Sequence, residues 1–321
     1  MNSSPNKMIK LALHPRNRHR NGYDFVKLMQ CLPELANYVK QNQYGQLSID
    51  FADPIAVKIL NKALLICFYQ LDFWDIPNDY LCPPVPGRVD YIHYLADLLA
   101  SDNQSNIPQG KHIRVLDIGV GANAIYPIVG HAEYGWSFVG SDVNPTAIKI
   151  ATMIANSNPS LKGALHCRLQ RHQNAIFSQI IKPNEQYALT ICNPPFYSSL
   201  DEANANTAKK INNLQKSKLI SKQPVRNFGG QSTELWCEGG EATFISNMIT
   251  ESQLYQSQCV WFSSLVSKKE TLAVLSEKLK KVAALDVKII PMAQGQKVSR
   301  FIAWTFLTYE QRQHFFEQLK H

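Results

Sequence analysis

The 321-residue chain combines 45% hydrophobic with 18% charged residues, and its 15 Gly and 17 Pro follow no collagen-like period; wholesale disorder and a fibrous chain are excluded. Its length suits one large α/β domain with an extension, or roughly two units of about 150 residues. A formal charge of +8 favours an anionic partner, and the basic excess falls in residues 1–40, 203–233 and 268–300, leaving the rest of the chain net acidic.

The N-terminus is basic and polar where a secretory leader needs an apolar core. No run of 18 apolar residues occurs, so a cytoplasmic protein without a membrane span is expected. Within this start, Arg16, Arg18, His19 and Arg20 form a compact basic patch on a mobile arm, suited to phosphate. Residues 24–40 and 51–74 place apolar side chains three and four apart, the spacing of helices, with Pro33 and Pro54 in first turns or as breaks. The Pro-rich LCPPVPG, residues 81–87, reads as an extended connector. It divides a helical extension (1–87) from a main domain (88–321).

Residues 89–100 read as a helix, followed by the strand IRVLDI. WSFVGSDV (136–143), a helix over 145–157 with Pro145 at its first position, and YALTIC (187–192) continue a βαβ rhythm. QCVWFSSLV (258–266), the amphipathic 268–282, DVKIIPM and RFIAWTFL supply further elements. The order predicts a doubly wound, mostly parallel sheet with helices on both faces. Residues 197–242 stand apart as a polar, basic passage with two Gly-Gly pairs. Its length suggests a substrate-facing insertion, with Lys209, Lys210, Lys216, Lys218, Lys222 and Arg226 as a clamp on an anionic substrate. Seven cysteines without a CxxC pair predict free thiols and no metal site.

Chemistry enters at three places. Asp117, Gly119 and Gly121 follow the first strand of the main domain, where a Gly-rich turn lets backbone approach a cofactor, although the third Gly of the dinucleotide fingerprint is missing. Asp142, ending the next strand, is placed to accept hydrogen bonds from ribose hydroxyls, which leaves S-adenosylmethionine and NAD both open. After YALTIC comes Asn193-Pro194-Pro195-Phe196. The lone pair of an adenine amine is delocalised into its ring, so an enzyme must orient it. The Asn193 oxygen and the Pro194 carbonyl can accept its two N–H bonds while Phe196 stacks on the base. These segments together argue for amino-group methylation.

The segments HPRNRHRNGYDF, VPGRVDYIHYL, LDIGVGANAIYP, NPPF and FGGQSTELWCEGGEATFI, spread over residues 13–307, closely resemble the bacterial 23S ribosomal RNA adenine-1618 N6-methyltransferases, a class I S-adenosylmethionine-dependent family. Animal U6 small nuclear RNA adenine methyltransferases are similar across the same segments. The resemblance implies a Rossmann-like methyltransferase sheet, S-adenosylmethionine as cofactor, and 23S rRNA or a large-subunit assembly intermediate as partner of a monomer. It also implies that Arg88 contacts the cofactor carboxylate, that Gly119 and Gly121 line its amino-acid part, that Asp142 holds its ribose, and that Asn193 to Phe196 receive adenine. Glu234, Gly239 and Gly240 are implied to support the site. Two other readings remain at this point: glutamine N5-methylation of a translation factor, and a noncatalytic RNA-binding assembly protein.

Overall fold

A computed structural model describes residues 13–198, 232–294 and 297–319. The main domain is a seven-stranded sheet with helices on both faces. Its strands are β3 (Arg114–Ile118), β4 (Ser137–Asp142), β5 (Leu165–Leu169), β6 (Tyr187–Cys192), β7 (Cys259–Val266), β8 (Asp286–Gln294) and β9 (Lys297–Thr305). Their order is β5-β4-β3-β6-β7-β9-β8, parallel from β5 through β7 and antiparallel for the last two pairings. Every residue of β6 and β7 is buried, which accounts for the unbroken apolar runs YALTIC and CVWFSSLV: strands covered on both faces have no solvent side on which to alternate.

Chain order runs outward from β3 to β5, then crosses back to β6. A topological switch point therefore lies between β3 and β6, and in open α/β sheets that crevice, at the carboxyl ends of the strands, takes the ligand. On one face lie α3 (Val85–Ser101), α4 (Ile125–Tyr134) and α5 (Pro145–Ser157). On the other lie α7 (Gly240–Ser252), preceded by the short α6 (Ser232–Leu235), and α8 (Thr271–Lys281). The chain's last helix is α9 (Tyr309–Gln318).

The N-terminal part differs in detail from the helical reading of its sequence. Residues 24–40 form only a two-turn helix, α1 (Phe25–Cys31), a 3-10 turn and strand β1 (Val39–Gln41), which pairs with β2 (Leu47–Ile49) across a turn. The second stretch is one helix, α2 (Pro54–Tyr69), with Asp53 capping it and Pro54 in its first turn, where no N–H is missed. LCPPVPG is not extended to its end: α3 begins at Val85 and uses Pro86 in its own first turn. One buried apolar cluster runs from Phe25 through Leu64, Leu95 and Val115 to Phe301, so the N-terminal segment shares its core with the sheet. Cys31 and Cys67 are joined as a disulfide between α1 and α2, Cα atoms 5.5 Å apart, correcting the expectation of seven free thiols. Among the described residues no helix is long and apolar enough to cross a membrane, and no cluster of three His, Cys, Asp or Glu could hold a metal ion.

Candidate active site

A cavity of about 850 Å³ opens at the switch point, and the carboxyl ends of β3, β4 and β6 all reach it. β3 delivers Gly119, whose φ of +73° falls in the left-handed region; nothing lies within 4 Å of where its Cβ would stand, so backbone there faces open space. Asp117, two residues back in the strand, is fully buried behind the cavity lining rather than in it, and neither carboxylate oxygen has a hydrogen-bond partner among the described residues. Burial, reinforced by the negative charge of Asp142 and opposed by the Arg88 cation, holds its carboxyl well above the usual range. An orphaned buried acid of this kind calls for a missing polar or cationic partner.

β4 ends in Asp142. Its Oδ2 accepts from Gly121 N at 3.0 Å and its Oδ1 from Asn144 N at 2.8 Å, tying the strand end to the glycine turn. Burial raises its pKa against these backbone bonds. The cap of α5 comes instead from Asn144, whose Oδ1 accepts from Thr146 N and Ala147 N, so Asp142 keeps acceptor sites toward the cavity that it lines. Open glycine backbone, an unmatched acid and a carboxylate at the next strand end together fit the amino-acid and ribose portions of S-adenosylmethionine. On this fit, Asp117, Gly119 and Gly121 would serve the first and Asp142 the second.

β6, paired to β3 with Cys192 beside Ile118, delivers Asn193, and Asn193, Pro194 and Pro195 line the cavity. Arg88, projecting from the first turn of α3, donates through Nη1 to Asn193 Oδ1 and to Tyr126 Oη, each at 3.1 Å. Phe196 is half-buried and is not among the lining residues; its backbone N–H donates to Leu235 O at 3.1 Å. Three aromatics among the described residues do line the cavity, Tyr126, Phe244 and Trp236, and the last, which the sequence reading did not single out, is bridged to the residue after the tetrad. It is set there by a parallel bridge to Tyr197, with Cys237 N donating to Tyr197 O at 3.1 Å. Its indole N–H is buried without a partner. Gly239 and Gly240 both have positive φ, and a Cβ on Gly240 would meet Ser198 N at 3.3 Å; the doublet allows this close passage. Glu234 Oε2 accepts from Leu81 N at 3.1 Å and so fastens the far side of the insertion to the approach of α3.

Two further carboxylates on α7 were not legible as site elements. Glu251 accepts from the backbone N–H groups of Ile176, Phe177 and Ser178 at 2.7, 3.0 and 2.7 Å, fixing the loop after β5 whose Gln173 to Ile176 line the cavity. Glu241, at the opposite end of the helix, accepts from Lys268 N and Thr271 Oγ1.

The basic N-terminal patch is corrected. Residues 14–22 form consecutive turns strapped across α3 and α4 rather than a mobile arm. Arg16 donates to Asp97 Oδ1 at 2.7 Å, His93 O at 3.0 Å and Tyr134 Oη at 3.0 Å. Arg18 makes a two-pronged pair with Glu133 at 2.6 and 3.1 Å. His19 is 4% exposed against Tyr69 Oη, with burial pushing its pKa down to about 4. Arg16 and Arg18 thus carry charges matched within the protein while staying exposed, and Arg20, also exposed, has one long contact to Pro15 O at 3.5 Å. Asn17, buried among these residues, donates to Pro86 O and Asp90 Oδ1 at 2.9 and 2.6 Å, one on each side of Arg88 along α3. Lys209, Lys210, Lys216, Lys218, Lys222 and Arg226 lie outside the described residues.

Comparison with known proteins agrees with this geometry. Residues 7–308 match the Methyltransf_10 family, described as RNA methyltransferase. The ribosomal RNA large subunit methyltransferase F of Yersinia enterocolitica is 55% identical over 303 residues, covering 94% of this chain and 90% of that protein. The protein of the same name from Photobacterium profundum is 54% identical over 317 residues, covering 94% of each. Among solved structures, the hMettl16 catalytic domain in complex with the MAT2A 3′UTR hairpin 1 superposes with a TM-score of 0.76 at 29% identity, over 92% of this chain and 96% of that one. The N-terminal domain of human METTL16 in complex with SAH gives 0.71 at 26%, over 92% and 99%. The chain therefore belongs to this RNA methyltransferase family and is an S-adenosylmethionine-dependent methyltransferase.

Proposed function

We propose that the enzyme methylates the exocyclic N6 of one adenine in large-subunit ribosomal RNA, adenine 1618 of 23S rRNA, releasing S-adenosylhomocysteine. The observation carrying this reading is the placement of Asn193: its carboxamide oxygen, faced by the Arg88 donor, stands in the cavity at the carboxyl end of β6, the strand next to the one that ends in the glycine turn. Its similarity to ribosomal RNA large subunit methyltransferases supports the substrate.

S-adenosylmethionine supplies an electrophilic methyl group when bound. What the chain's own residues do is orient the nucleophile. Asn193 Oδ1 and the Pro194 carbonyl accept the two N–H bonds of the amine, turning its nitrogen toward the methyl group and stabilising the positive charge that develops as the bond forms. The adjacent prolines limit backbone freedom and keep the two acceptors in one presentation. No prior deprotonation is needed, since the extra proton leaves after transfer. The apolar walls contributed by Pro194, Pro195 and Trp236, the first of them buried, suit a base taken out of its stack. Such extrusion is required if the amine is to reach Asn193.

Mapping N6-methyladenine in 23S rRNA from matched cells with and without this chain tests the reading. Loss of one mark, at adenine 1618, is the expected result. An unchanged map, or methyl transfer to a release factor and not to rRNA, would overturn it.

A further inference from the structure

Arg88 lies between the two halves of the site. Its Nη1 is 3.1 Å from Asn193 Oδ1, and it lines the same cavity as Gly119, Gly121 and Asp142. Arginine carries donors and no acceptor, so the Asn193 atom that meets it must be the oxygen and not the amide nitrogen. That is the atom which the proposed function assigns to the target amine. The backbone carrying Arg88 is pinned: Asn17 Nδ2 bonds Pro86 O and Asp90 Oδ1 on either side of it, and His14 N adds a bond to Asp90 Oδ1 at 2.9 Å. Freedom is left to the side chain alone, which rests on the Tyr126 ring with its guanidinium carbon 5.8 Å from the centroid.

Two partners therefore compete for one cation. A guanidinium bonded to a neutral amide oxygen has a weaker partner than one forked onto a carboxylate. S-adenosylmethionine carries a carboxylate into this cavity. While the guanidinium is on Asn193, it fixes the orientation of the amide but draws on the acceptor strength that the adenine amine needs. Once the guanidinium has a carboxylate, the oxygen is released to the amine and regains that strength.

We propose that Arg88 is a positioning residue that couples cofactor occupancy to acceptance of the target base, holding Asn193 Oδ1 until the cofactor carboxylate takes its guanidinium. The inference rests on the proposed function and adds an order to it: the base is recognised by its amino group only in the cofactor-bound enzyme. Linkage requires the converse, that an RNA carrying the adenine amine raises affinity for the cofactor product by the same factor.

The test compares two 23S rRNA fragments, one with adenine and one with purine, lacking the amino group, at the target position. Dissociation constants are measured on the whole protein with and without saturating S-adenosylhomocysteine, saturation being established by calorimetry for each variant. In the natural protein the preference for adenine over purine should grow by about tenfold on adding S-adenosylhomocysteine, within the usual range of site-to-site coupling. In Arg88→Met the preference should be the same in both states, and Arg88→Lys, which retains a cationic donor, should recover part of the growth. An adenine preference in the natural protein that ignores S-adenosylhomocysteine, or a growth that survives in Arg88→Met, overturns the coupling alone. Equal binding of both fragments in every state overturns the proposed function and the coupling with it.

Discussion

Replacing Glu251 with Gln exchanges one carboxylate oxygen for an amino group and asks how much of the cofactor pocket hangs on α7. The carboxylate accepts three backbone N–H bonds, Ile176 N at 2.7 Å on one oxygen and Phe177 N and Ser178 N at 3.0 and 2.7 Å on the other. A carboxamide has one oxygen. In its best orientation it keeps Phe177 and Ser178 and turns an amino group toward the Ile176 N–H, donor against donor. Loss of a bond to a charged acceptor costs about 1.5–3 kcal/mol, and the unpaired N–H adds to that, so a local penalty of about 3 kcal/mol is reasonable. The strain falls next to Gln173, Asn174 and Ala175, which line the cavity. At about 1.4 kcal/mol per decade, cofactor affinity should fall by roughly tenfold to a hundredfold. Calorimetric titration with S-adenosylhomocysteine, beside a thermal melt, separates the possibilities. A domain of this size should lose about 5 °C for 3 kcal/mol. If the melt falls by that much while affinity stays within about twofold, Glu251 serves stability only and the argument about the loop is wrong.

Three other outcomes follow from the same contacts. Asn193→Ala removes an acceptor aimed at developing charge, so single-turnover methyl transfer should fall by about a hundredfold or more with S-adenosylhomocysteine still bound; transfer at the natural rate would reject the site. Arg20→Ala should weaken RNA binding and flatten its salt dependence by about one counterion. Arg18→Ala, which breaks the Glu133 pair, should instead lower the melting temperature, and the reverse pattern in a salt series would restore the patch as an RNA contact. For pH, burial depresses the folded pKa of His19 to about 4 and that of His93 to about 3, below the unfolded value of about 6.5. The folded state thus binds fewer protons, and the stability gained from these neutral rings is complete above pH 6.5 and is lost as pH falls from there toward 4 and then 3. Urea midpoints that do not decline between pH 7 and 4.5 would contradict this.

The sheet was readable because its central strands are buried on both faces and spell continuous apolar runs, and the glycine turn, Asp142 and NPPF follow those strands directly. What sequence could not reveal was long-range pairing. Arg16 looks free in a run of basic residues, yet its counter-charge, Asp97, is 81 positions away; Arg18 meets Glu133 at a separation of 115. Net charge counts cations without saying which are matched. Trp236 was missed for a similar reason, since no local pattern predicts that it bridges Tyr197. The β1–β2 hairpin was hidden inside helical spacing, although its turn, where Asn42 Oδ1 accepts from Tyr44 N and Gln46 N ahead of a left-handed Gly45, had a recognisable composition. Glu251 reads as an ordinary helix acid until the loop that it holds is in place.

The bridge between Tyr197 and Trp236 brings together the two ends of the long passage between them. With both ends clasped at the rim of the cavity, the cost of closing that passage is already met locally, and each doubling or halving of its length changes it by only about 0.6 kcal/mol. Sequence and length between the clasped ends are thereby uncoupled from the register of Asn193 and Trp236. A chimera that swaps residues 199–231 between two related enzymes should therefore keep its single-turnover methyl-transfer rate, and a rate that collapses would refute the uncoupling.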